Sequence, residues 1–129
     1  MRIRDKISLK ANNYNIRELV KKKTNDDLNY IDTTNVTDMN HLFYNTVFKG
    51  NNFINDLYDN TFDGDISSWN TSNVINMNSM FKKSKFNGDI SHWDVSKVRD
   101  MRDIFAYSDF NKDISRWNLC SVESLGRAF

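Results

Sequence analysis

Two histidines, one cysteine and a spaced series of aspartates are the side chains of this 129-residue chain best equipped for chemistry. Asp65, Asp89 and Asp113 recur at a constant interval, with Asp63 close by. Repeated Asp-Gly-Asp elements can hold Ca²⁺ through oxygen ligands. Asp also accepts hydrogen bonds from turn amides, which accounts for the same spacing without a cation. Lys112 stands where Gly64 and Gly88 stand in the other two copies, and an ammonium there disfavours a cation site. The turn role is therefore expected, and the column is assigned no metal. His41, His92 and Cys120 fall at unlike repeat positions. Nucleophilic catalysis needs base and nucleophile within hydrogen-bond reach, which repetition does not provide for unlike positions. No glycine-rich phosphate loop is present. These features point away from an enzyme and imply no cofactor. A single cysteine forms no internal disulfide and founds no thiolate zinc site. With apolar Leu119 beside it, Cys120 is expected to be a buried, inert thiol.

The constant interval is an internal repeat, the feature to settle before any fold is assigned. From Phe62 the chain reads FDGDISSWNTSNVINMNSMFKKSK, and from Phe86 FNGDISHWDVSKVRDMRDIFAYSD; these 24-residue units agree at 11 positions. A third unit, FNKDISRWNLCSVESLGRAF from Phe110, agrees with the second at eight of 20 positions. An earlier, degenerate unit places Ile31 where Trp69, Trp93 and Trp117 stand later. Its Val36, Met39, Leu42 and Phe43 correspond to Val74, Met77, Met80 and Phe81. The units thus lie near 28–43, 62–85, 86–109 and 110–129, with an insertion at 44–61, and residues 1–27 precede them.

Within a unit, Val98, Met101, Ile104 and Phe105 are spaced i, i+3, i+6 and i+7, which predicts a short helix with Ser96 as N-cap; Thr34, Ser72 and Ser121 recur at or near that place. Asp89 to Val95 alternates polar residues with Ile90, Trp93 and Val95 and predicts a short strand or extended segment. Gly64 and Gly88 follow Asp63 and Asn87 in turn-forming pairs. Such a unit buries its apolar side only against its neighbours. The predicted fold is α/β: a short leucine-rich-repeat-like solenoid of stacked coils. Trp69, Trp93 and Trp117 then form one ladder, Ile66, Ile90 and Ile114 a second, and Phe81, Phe105 and Phe129 a third. Burying 150–250 Å² per aromatic at 25 cal/mol per Å² contributes roughly 4–6 kcal/mol gross per Trp. A column of Asn70, Asp94 and Asn118, one residue past each Trp, is expected to bond backbone at a bend.

The pattern F-N-G-D-I-S-x-W-D-V-S-x-V-x-x-M-x-x-M-F, over about 31–129, resembles the BspA-type leucine-rich repeat surface proteins of bacteria, also grouped as a repeat domain of unknown function. Tyr14 to Val20, then Leu28 to Thr33, is similar to the helix and first strand that often open that domain. The resemblance implies a right-handed α/β solenoid and, in larger members, attachment to host or partner proteins from the cell surface. The basic start, Met1 to Lys6, leads into Ala11-Asn12-Asn13 rather than an apolar stretch, so no signal peptide is read. As it stands the sequence suggests the cytoplasm, whereas the resemblance suggests a cell-surface or secreted protein.

A solenoid also needs closed ends. Ile16, Leu19 and Val20 form an apolar stripe suited to a capping helix within residues 1–27. After Phe129 no polar cap follows, so a frayed or partner-covered last unit is expected, and Gly126 weakens its predicted helix. Net charge is +1 overall. Residues 1–27 carry eight Lys/Arg against four Asp/Glu, hence +4, and the remainder ten against thirteen, hence −3. Arg2, Arg4, Lys6, Lys10 and Lys21 to Lys23 lack the interleaved aromatics of a nucleic-acid surface. No stretch reaches the length of a membrane span. The leading expectation is a protein-binding module that uses the column Ser68, His92 and Arg116 together with Phe48, Phe53 and Tyr58 of the insertion. The alternative is a structural protein that self-associates end to end through its last coil.

Overall fold

The computed structural model describes residues 8–21, 23–45 and 61–129. Among these described residues the regular elements are few and short: strand β1 (Leu9–Lys10), helix α1 (Ile16–Val20) and strand β2 (Ile31–Asp32). β1 and β2 pair in parallel, Leu9 opposite Ile31 and Lys10 opposite Asp32. α1 buries Ile16 and Val20 and leaves Glu18 outside. Five residues cannot hold a helix by propensity, so burial of its apolar side must supply the stability. No helix among the described residues is long and apolar enough to cross a membrane.

The rest is organised by contacts between equivalent residues of successive units. Single parallel bridges join Asp38 to Asn76, Asn76 to Asp100 and Asp100 to Ser124. Around them the amides alternate in their partners. Those of Met77, Ser79, Phe81 and Lys83 donate to Asp100, Arg102, Ile104 and Ala106 of the next unit, at 2.8–2.9 Å. Those of Met80, Lys82 and Ser84 close turns within their own unit, onto Met77, Ser79 and Phe81. Every second amide thus crosses between units and the others hold the turns, which satisfies a backbone that is neither helix nor long strand.

The helix expected over Val98, Met101, Ile104 and Phe105 is not formed; this segment is a run of turns carrying the inter-unit bonds. A succession of three-residue turns brings i and i+3 to the same side, as a helix does, so the apolar spacing alone did not separate them. Left-handed residues break any helix there: Ser79 and Lys83 in one unit, Asp103 and Tyr107 in the next, all at φ 55–57°. Ser72 and Ser96, expected as helix caps, instead bond the side chains of Asn70 and Asp94.

The core lies between the turn run and the Ile-Ser-x-Trp stretch of each unit. Trp69, Trp93 and Trp117 stack with centroids 6.5 Å apart and planes within 4°. Each indole N–H donates to a carbonyl of the preceding unit: Trp69 to Leu28 at 2.9 Å, Trp93 to Ile66 at 3.1 Å, Trp117 to Ile90 at 3.0 Å. Phe43, Phe81 and Phe105 form a second stack at 5.5 and 5.6 Å. Phe62, Phe86 and Phe110 form a third at 6.0 and 6.3 Å. Phe129 continues the second, tilted by 39° from Phe105 and 71% exposed.

Candidate functional site

Each Ile-Ser-x-Trp stretch is a turn held from two sides. The Trp69, Trp93 and Trp117 amides donate to Ile66, Ile90 and Ile114 at 3.1–3.2 Å. The carboxylate just before each Ile accepts the amide two residues on: Asp65 from Ser67 at 2.9 Å, Asp89 from Ser91 at 2.9 Å, Asp113 from Ser115 at 2.8 Å. These backbone bonds, foremost, and the serine hydroxyls hold all three carboxyls below their ordinary value. The Asp column is thus engaged in turn formation. Among the described residues no group of three or more His, Cys, Asp or Glu side chains is placed to hold a metal ion.

The variable residue of each turn is Ser68, His92 or Arg116, and all three are exposed. The last two line an open concavity with Asn87, Gly88, Asp89, Ser91, Lys112 and Asp113. This surface joins two adjacent units and sets Lys112, Arg116 and His92 beside the carboxylates of Asp89 and Asp113. Each unit is tied to the one before it at this edge: the Asn87 amide donates to Asp63 Oδ1 at 2.9 Å and the Asn111 amide to Asn87 Oδ1 at 2.8 Å. A rigid frame with a freely changing outward residue is what a recognition surface requires. Phe48, Phe53 and Tyr58, with most of the insertion, lie outside the described residues, as do Arg2, Arg4, Lys6 and Lys22.

Cys120 departs from the expectation: it is exposed, not buried. It occupies the register of Ser72 and Ser96, and its amide donates to Asn118 Oδ1 at 3.0 Å as theirs do to Asn70 and Asp94. The neighbouring Leu119 supplies the inward residue, so the apolar neighbour said nothing about the thiol. His41 is half-buried, and its Nδ1 lies 3.0 Å from Asn40 Oδ1. Burial first, then the charges of Arg17 and Lys82, push its imidazole below the usual histidine value. It shares the left-handed position of Ser79, Asp103 and Arg127, whereas His92 stands at the repeat position of Ser68 and Arg116, which is not left-handed. The two histidines thus belong to different parts of the repeat.

A third acceptor column went unread in the sequence. Asp38, Asn76 and Asp100 each accept the amide two residues on, from Asn40, Asn78 and Arg102, at 2.9–3.0 Å. The signal was available: Asp or Asn directly precedes Met39, Met77 and Met101. The model of the family described as Mycoplasma protein of unknown function, DUF285, matches residues 14–129. The chain belongs to this family. No curated protein and no solved structure matches it. The family match takes in α1, β2 and all four units, with every residue that lines the concavity.

Proposed function

We propose that this member of the family is a non-enzymatic protein-binding module, built as a short leucine-rich-repeat-like solenoid of the BspA type. The observation that carries the reading is the exposed series Ser68, His92 and Arg116 beside the concavity, on turns whose other residues repeat. Constant turn chemistry with a varying outward residue separates frame from contact. Lys112 and Arg116 with Asp89 and Asp113 form a mixed-charge surface suited to a polar protein partner and poorly suited to a nucleic-acid backbone, which favours one sign of charge. Adhesion at a cell surface is the setting that the BspA-type resemblance implies.

The test is affinity capture with the wild-type chain and with the double variant His92→Glu, Arg116→Glu. Both should give the same tryptophan fluorescence, because the two side chains are exposed. A protein retained by the wild type and lost from the variant is expected; identical retention by the two would sink the proposal. The second reading, self-association through the face of the last unit, is favoured by the 45% exposure of Leu125 and the 71% exposure of Phe129. Sedimentation velocity separates the readings: growth with concentration that Leu125→Lys abolishes supports self-association, and a concentration-independent monomer removes it.

A further inference from the structure

One carbonyl in each of the first three units accepts two successive amides of the next. Thr37 O accepts Ile75 and Asn76 at 2.8 and 3.3 Å; Ile75 O accepts Arg99 and Asp100 at 2.8 and 3.4 Å; Arg99 O accepts Glu123 and Ser124 at 2.8 and 3.3 Å. Followed back towards the N-terminus, this series reaches the amides of Thr37 and Asp38, which would need the carbonyl of a unit before them. They find Asn13. Its Oδ1 accepts Thr37 N–H at 2.9 Å and Asp38 N–H at 3.2 Å, the same paired geometry, while its Nδ2 donates to Thr37 Oγ1 at 2.8 Å.

We infer that Asn13 closes this edge of the stack, its side-chain amide standing in for the main-chain carbonyl of a preceding repeat. The surrounding segment is built to hold it there. On one side β1 is tied to β2, with the Leu9 and Ala11 amides donating to Tyr30 and Asp32 at 2.9 Å. On the other side α1 is anchored by buried Ile16 and Val20. Between them Asn12 and Asn15 bracket the bend reciprocally: Asn12 Oδ1 accepts the Tyr14 and Asn15 amides, and Asn15 Oδ1 accepts the Asn12 amide at 2.8 Å. Unpaired edge amides are a template for another chain, and proteins that remain separate cover them. A second copy adding end-on in register would have to offer its Glu123 carbonyl to the two amides that Asn13 already holds. Residues 8–20 therefore act as an edge guard, and Asn13 is the residue that engages the backbone.

Amide hydrogen exchange followed by NMR tests this on the full chain. In the wild type, Thr37 and Asp38 should exchange about as slowly as Ile75 and Asn76. Asn13→Ala should speed exchange at Thr37 and Asp38 by about tenfold, the loss of roughly one net hydrogen bond, while Asn76 and Asp100 keep their rates. Asn13→Asp retains the acceptor oxygen and should stay near the wild-type rate at those amides at neutral pH. Rates at 37 and 38 typical of free peptide in the wild type, an unchanged rate in Asn13→Ala, or equal acceleration of all four amides would each overturn the assignment. If Asn13→Ala fails to fold, the wild-type rates and Asn13→Asp decide: rapid exchange at 37 and 38 in either refutes the edge-guard role.

Discussion

Asp94 and Asn70 perform one task with two different groups. Asn70 Oδ1 accepts the Ser72 amide at 3.0 Å and its hydroxyl at 2.6 Å; Asp94 Oδ1 accepts the Ser96 amide and hydroxyl at the same distances. Only the aspartate adds a dependence on pH. The Ser96 hydroxyl first, then the Ser96 amide, hold its carboxyl below the ordinary 3.8, and Asp65, Asp89, Asp100 and Asp113 are shifted the same way. A carboxyl whose folded pKa is depressed contributes stability that is complete above its unfolded value and is lost as pH falls through the folded one. Wild-type stability should therefore drop as the pH is taken below 3.8. Asp94→Asn copies Asn70, keeps the turn and removes one of the titrating groups. Urea unfolding from neutral pH down to about pH 2.5 should give a shallower acid loss for the variant than for the wild type. Parallel losses would show that the turn bond contributes nothing to the titration.

The elements show where the sequence was readable and where it was not. Trp and Phe recurrence identified stacking residues, and Ile recurrence identified core positions, because burial selects residue type directly. The turn run was misread as helix because its left-handed positions carry no glycine: His41, Ser79, Lys83, Asp103, Tyr107 and Arg127 occupy them. Inter-unit bonds, which no local pattern announces, hold that backbone. Gly64 and Gly88 were read as turn formers, yet a further constraint governs them. A Cβ on Gly64 would lie 2.0 Å from Asp26 O and 2.6 Å from the Phe62 ring; on Gly88 it would lie 2.7 Å from the Phe86 ring and 3.4 Å from Gly64 O. Close packing of chain on chain is what keeps these positions bare. Gly126 differs, because a Cβ there meets only Arg102 Cγ at 3.9 Å and the residue sits in a turn, not a helix. Gly64→Ala should cost about 3 kcal/mol and Gly88→Ala about 1–2 kcal/mol, the first being larger because backbone must move. Gly126→Ala should stabilise by about 0.4–1 kcal/mol through the unfolded chain. Urea midpoints give the order, and a Gly126→Ala variant less stable than wild type would refute the account of that turn.

For the molecule as a whole, the site residues were legible only as positions. Ser68, His92 and Arg116 were singled out because they vary within a constant frame, but the concavity that His92 and Arg116 share with Lys112 and Asp113, and that Ser68 does not line, depends on how two units pack, which spacing alone does not give. The same stacking makes a claim about energy. If each unit touches its neighbours alone, coupling should pass between adjacent tryptophans and not skip one. Trp93 lies between Trp69 and Trp117 at 6.5 Å from each, and the outer two are separated by its ring. Replacing Trp93 by Ala should cost about 3–5 kcal/mol, since it removes two stacking faces and leaves the Ile66 carbonyl without its indole donor. Trp117→Ala should cost less, because its ring has one stacked tryptophan neighbour and is less completely enclosed, at 7% exposure. In a double-mutant cycle Trp69 and Trp93 should couple by about 0.5–1.5 kcal/mol, whereas Trp69 and Trp117 should add to within about 0.5 kcal/mol. The leucine variants serve where alanine abolishes folding, since they keep bulk and remove the aromatic face. Coupling between Trp69 and Trp117 as large as that of either adjacent pair would mean that the units unfold through a shared core rather than through nearest-neighbour contacts.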